Sequence, residues 1–159
     1  MMVMTAHVTQ ACNDKREVVP TLAQLQSLPA VLGEVQTPIA DNGFFSQANV
    51  IACHEAGVEP LLALSKQSHH MPVMERFAVD APPPQTTDAV VQMAHRLGTQ
   101  AGRALYALRK QTVEPVFCTI KQVMCWRQIS MRGLTAAQGE WSLVTIARNI
   151  KRTYVLRGI

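Results

Sequence analysis

The sequence predicts an α/β domain with parallel strand pairing whose later part is helical. Three observations carry that reading. Short apolar runs alternate with amphipathic stretches over residues 2–64, in the order strand, helix, strand, helix, strand. Cap and turn residues, Asn13, Gly43, Ser46 and Gly57, fall between them. From Ala89 onward, apolar positions recur at helical spacing.

Residues 2–10 hold β-branched side chains in partial alternation and read as a half-buried strand. Asn13 is an N-cap for a helix whose apolar face is Val18, Val19, Leu22, Leu25 and Leu28, with Pro20 kinking it or delaying its start. Val35 to Ala40 is a short run ending at Asp41. Gly43 turns the chain into a helix capped by Ser46 and ended by Gly57, and Val58 to Leu64 reads as a second buried strand. Asp41 therefore falls at the carboxyl end of a strand, where sites form in parallel α/β layers. Three consecutive prolines and scattered polar residues make 66–88 an exposed insertion or linker. Four helices follow: Ala89 to Leu97, Ala101 to Lys110, Val113 to Met124, and Gln138 to Thr153. The organisation expected is 1–65 as sheet and helices, 66–88 as the linker, and 89–159 as a helical part of the same domain.

Composition bounds the function. A chain of 159 residues with 48% hydrophobic and 16% charged residues is globular rather than disordered. The formal charge of +4 favours polyanionic partners. The excess is concentrated: from Arg103 onward, Glu114 and Glu140 are the only acids among many lysines and arginines. Cys12, Cys53, Cys118 and Cys125 form no C-x-x-C pair and read as free thiols in a reducing cytoplasm. No apolar run reaches the roughly 20 residues of a membrane helix. His69 and His70, with His54 and His95 near them only in sequence, lack cysteines at zinc spacing and do not form a metal motif.

The chemistry-bearing stretch runs from Tyr106 to Lys121. Thr112 can cap a helix that places Glu114 in its first turn, where Pro115 is tolerated. Seven α-helical residues turn through about 700°, so Lys121 would stand above Glu114 on one stripe. Val113, Val116, Phe117, Ile120 and Met124 would form the buried side. On spacing alone the pair also fits an ordinary amphipathic helix with a solvated Glu and Lys. In the last helix, Trp141, Leu143 or Val144, Ile146, Ala147 and Ile150 are expected inside, with Arg148, Lys151 and Arg152 outside.

These residues resemble the later part of an insertion-sequence DDE transposase catalytic domain, from about Ala6 to Arg152. The resemblance implies an incomplete ribonuclease H-like domain, a mixed sheet with flanking helices followed by a helical C-terminal part. It matches Asp41 in IADNGFFS to the second catalytic aspartate and Glu114 in TVEPVF to the catalytic glutamate, so both would be catalytic and metal-binding, with Mg²⁺ as cofactor. No position matches the first aspartate, which implies a truncated and inactive copy. The family signature Tyr-x2-Arg-x3-Glu-x6-Lys appears as Tyr106-x2-Arg109-x4-Glu114-x6-Lys121, with one extra residue before the glutamate. Tyr106, Arg109 and Lys121 would contact DNA. Cys118 and Cys125 stand in glycine places and Arg148 in a tryptophan place. The implied partners are transposon-end DNA and a second copy or a full-length transposase. The rivals are a non-enzymatic DNA-binding or dimerising fragment and a non-functional remnant. Loss of a central strand would leave residues 2–10 poorly anchored.

Overall fold

Asn13 Oδ1 accepts from the Lys15 amide and opens a 3-10 turn, Asp14–Glu17, that leads directly into helix α1, Val18–Gln26. Pro20 sits in the first turn of α1, where its missing N–H costs nothing. The computed structural model describes residues 1–65 and 79–158, which divide into two compact units, Asn13–Arg109 and Met1–Cys12 with Lys110–Ile159. Most of the linker expected at 66–88, and His69 and His70, lie outside the described residues.

In the unit Asn13–Arg109, strands β1, Ile39–Ala40, and β2, Leu61–Leu62, pair in parallel with Ile39 opposite Leu61. Backbone bonds extend the pairing: Glu59, Leu61 and Ala63 amides donate to the Gln36, Pro38 and Ala40 carbonyls. Between the strands runs α2, Gln47–Glu55, with Ser46 Oγ accepting from the Asn49 amide at 3.1 Å. Its far end is a Schellman motif. Gly57, at φ 74°, donates to His54 O, Val58 donates to Cys53 O, and the Val58 side chain packs against the cluster of Val18, Leu22 and Cys53. Both ends were legible as cap signals, and so was the parallel pair.

Leu61 and Leu62 point to opposite faces of the pair. Leu61 packs with Leu97 and Tyr106, Leu62 with Val50 and Met93. The strands are thus covered on both sides, by α2 and by α3, Ala89–Gly98, and α4, Gln100–Cys118. Asp88 caps α3, and the α3–α4 turn is so tight that a Cβ on Gly102 would stand 1.8 Å from Arg96 O.

The second unit departs from expectation. Val113 to Met124 is not a separate helix, and Thr112 does not begin one. The chain is helical from Gln100 through Cys118 with Pro115 in the interior, and then winds a π turn over Thr119–Val123. Proline removes the bond to Gln111 O, and Thr119 Oγ1 takes Pro115 O at 2.8 Å, loosening the next turn. Val116 and Ile120 are buried as expected, whereas Val113 and Phe117 are exposed. Cys125 follows the π turn at φ 58°, the left-handed conformation that a glycine in its place would adopt without strain.

Residues 2–10 form no strand. Their partner is helix α5, Leu134–Leu156, through two side-chain amides. Asn149 accepts from Val3 N and donates to Val3 O, at 2.8 and 2.6 Å. Gln138 accepts from Val8 N at 2.6 Å and donates to Ala6 O at 3.1 Å. The spacing explains the fit. Eleven helical positions rise about 16 Å and return to the same face, and five extended residues cover about 16 Å. The segment is anchored, contrary to expectation, because amide side chains supply what a strand edge would have supplied.

The faces of α5 follow expectation only in part, with Trp141 half-buried and Lys151 exposed as expected. Ala137, Thr145 and Arg148 are buried, while Leu143, Ile146, Ile150 and Tyr154 are each more than half exposed. Among the described residues the fold is mostly helical, with two short parallel strands.

Candidate functional site

Asp41 directly follows β1, and its Oδ1 accepts from the Gly43 amide at 3.0 Å, capping the 3-10 turn Asn42–Phe44. Its other oxygen lies 3.6 Å from Arg109 Nη1. On α4, Tyr106 and Arg109 are three residues apart and therefore neighbours. The Arg109 guanidinium carbon sits 5.5 Å from the Tyr106 ring centroid, within cation–π range. Asp41, Arg109 and Tyr106 thus form one constellation. Burial pushes the Tyr106 phenol above its ordinary range; the Arg109 charge opposes that shift and the Asp41 carboxylate adds to it.

Two further residues build this corner without having been singled out in the sequence. Oxygens of Asp14 and Asp41 each lie 3.1 Å from where a Cβ on Gly43 would stand, so any larger residue would press on both carboxylates. Asn49, 6% exposed, donates through Nδ2 to Lys15 O and Phe44 O, both at 2.8 Å, tying the Asp14 turn to the Asp41 turn. The available signal was an asparagine on the buried side of a short helix.

Glu114 and Lys121 belong to the other unit, and both are exposed. A shared stripe for Glu114 and Lys121 requires α-helical winding throughout, but residues from Thr119 follow the π turn. Lys121 Nζ lies 5.9 Å from the Phe117 ring centroid, and no ion pair joins Lys121 to Glu114 among the described residues. Phe117 in turn stacks on Trp141, with centroids 6.3 Å apart, and Trp141 packs on Trp126 at 5.2 Å. Glu140 closes this aromatic corner. It accepts from Trp126 Nε1 and from the Ser130 and Met131 amides at 2.9 to 3.0 Å, and these bonds hold its carboxyl below the usual range.

Asp41 and Glu114, the carboxylates expected to hold a divalent ion, belong to different units. Asp41 spends one oxygen on an amide and the other on a cation, and no three His, Cys, Asp or Glu side chains cluster for a metal among the described residues. All four cysteines are free thiols. No helix among the described residues is long and apolar enough to cross a membrane.

No curated protein and no solved structure matches the chain. The family model described as a transposase DDE domain does match, over residues 81–154. That span contains Tyr106, Arg109, Glu114 and Lys121, and Asp41 lies outside it. Residues 81–154, a little under half of the chain, are therefore similar to a transposase DDE domain.

Proposed function

We propose that the chain is a fragment of a ribonuclease H-like transposase catalytic domain that engages DNA without cleaving it. The observation that carries the reading is the family match across four of the five residues singled out from the sequence. Its ancestral reaction is metal-dependent DNA cleavage and strand transfer at transposon ends. Asp41 and Glu114 are the remaining catalytic carboxylates, and Tyr106, Arg109 and Lys121 are the DNA contacts. Two carboxylates cannot position the pair of ions such chemistry uses, so Mg²⁺ binds weakly and turnover is absent. What the protein itself supplies is charge. Arg109, braced between a carboxylate and an aromatic face, and exposed Lys121 are suited to phosphate oxygens.

Binding of duplex transposon-end DNA at low salt tests this. Lys121→Ala should weaken binding and reduce the salt slope by about one, while Glu114→Ala leaves it unchanged. Mg²⁺-dependent cleavage that disappears in Glu114→Ala would refute the inactivity, and absence of any salt-sensitive DNA binding would refute the DNA assignment.

A second reading, a non-enzymatic fragment that dimerises or joins a full-length transposase, is favoured by the exposed stripe Leu143, Ile146, Ile150 and Tyr154 on α5. Sedimentation of the wild type and of Ile146→Glu with Ile150→Glu separates it: only a dimerising chain changes mass.

A further inference from the structure

The unit formed by Met1–Cys12 and Lys110–Ile159 contains a cavity of about 350 Å³. That is about ten times the volume share of one water and lies within the range of small-ligand sites. Gln111, Thr119, Arg148, Lys151 and Arg152 are on its wall. The three cations stand at positions i, i+3 and i+4 of α5, which brings their charges together on one stripe, an arrangement that is repulsive unless answered.

No acid answers it. The acids of this unit are Glu114 and Glu140; neither lines the cavity, and Glu140 is occupied by Trp126, Ser130 and Met131. Arg148 is 5% exposed. Its Nη1 donates to the Met1 carbonyl and, at 3.4 Å, to Asn149 Oδ1, both neutral acceptors. The Nε atoms of Arg148 and of Arg152 are buried and meet no acceptor among the described residues. Burial and the neighbouring Arg152 charge hold the Arg148 guanidinium below its ordinary pKa. A buried cation without a counter-charge is costly, and two unmet guanidinium donors beside a ligand-sized space describe an anion-binding site.

We infer that this cavity binds a phosphoryl-bearing anion, held by Arg148, Lys151 and Arg152 with the Gln111 amide as a neutral donor. A tetrahedral dianion suits the wall better than a single carboxylate, because three cations converge and each guanidinium presents several donors in a fixed fork. The inference is independent of the transposase reading: Asp41, Tyr106, Arg109, Glu114 and Lys121 are not on the cavity wall.

The test is titration of the full chain with inorganic phosphate, followed by calorimetry and thermal melting, at an ionic strength fixed with sodium chloride. Phosphate should bind saturably and raise the melting temperature, while added chloride does not. Arg152→Gln, which leaves the Arg148 bond to Met1 in place, should weaken phosphate by about tenfold, the effect of losing one charge-assisted hydrogen bond. Arg148→Met should abolish the phosphate-dependent rise. If Arg148→Met fails to fold, Arg152→Gln and Lys151→Gln still decide the matter. Equal stabilisation by chloride, or variants that titrate like the wild type, would overturn the assignment. Competition by a 5′-phosphorylated oligonucleotide but not by its 5′-hydroxyl form identifies the source as a nucleic-acid end; equal behaviour of the two identifies free phosphate.

Discussion

The two units are held together by different means. In Asn13–Arg109 the buried residues include Val18, Leu22, Val50, Cys53, Leu61, Leu62, Ala63, Met93, Leu97 and Tyr106, in three mainly apolar clusters around a parallel strand pair, with Asn49 as a buried polar group. In the unit of residues 1–12 and 110–159 the buried set includes Thr145 and Arg148, the N-terminal segment hangs on two amides, and Leu143, Ile146 and Ile150 face outward. Burial of aliphatic surface is non-directional and tolerates approximate geometry. Amide and guanidinium contacts are directional, and a buried donor left unmet is penalised. The first unit should therefore respond most to lost volume, and the second to lost partners, charge state and backbone strain.

The largest effect should come from Leu62→Ala. This side chain is 1% exposed between Val50 and Met93, and its truncation should cost about 2–5 kcal/mol, read from the denaturant midpoint. A cost below about 1 kcal/mol would mean the clusters are not the core of that unit.

Next is Asn49→Ala, which removes two 2.8 Å bonds within the same unit. It should cost about 1–3 kcal/mol and also loosen the corner holding Asp14 and Asp41, which amide exchange at Gly43 reports. Exchange as slow as in the wild type would show that Asn49 does not brace the site.

The third prediction lies in the other unit and concerns pH. The Glu140 carboxyl is lowered from 4.5 by its bonds to Met131, Trp126 and Ser130. A group depressed on folding contributes stability that is complete above its unfolded value and is lost as pH falls through the folded one. Melting temperature should therefore fall with pH below about 4.5, more steeply in the wild type than in Glu140→Gln, which cannot titrate. Parallel profiles for the two would remove Glu140 from the account.

The smallest effect is a gain. Cys125 holds a left-handed φ of 58°, so Cys125→Gly should stabilise by about 0.5–1 kcal/mol, the relief of strain less the greater freedom of glycine when unfolded. A loss of stability would mean that the Cys125 side chain makes contacts worth more than the strain.

Features that depend on neighbours along the chain are legible from the residues alone. Ser46 and Gly57 mark the ends of α2, Asn13 caps the 3-10 turn that leads into α1, Pro20 falls in the first turn of α1, and the apolar runs around Ile39 and Leu61 become a parallel pair, because caps and alternation act within one or two turns. The positive φ at Cys125 was legible in the same way, from the glycine that the resemblance puts there. Tyr106 and Arg109 were placed together by a three-residue helical interval, and Asp41 by the end of a strand. The rest depends on which distant residues meet. Pro115 stays inside a helix and a π turn follows it, which carries Lys121 toward Phe117 rather than Glu114. Asp14 and Asn49 join the Asp41 corner through contacts that no local pattern encodes. Residues 2–10 have the composition of a strand, yet two amides on a helix more than 120 residues away satisfy them. On α5, Arg148 is buried and the stripe Leu143, Ile146 and Ile150 is exposed, because periodicity shows that a helix has two faces and only the neighbour on each side determines which is buried.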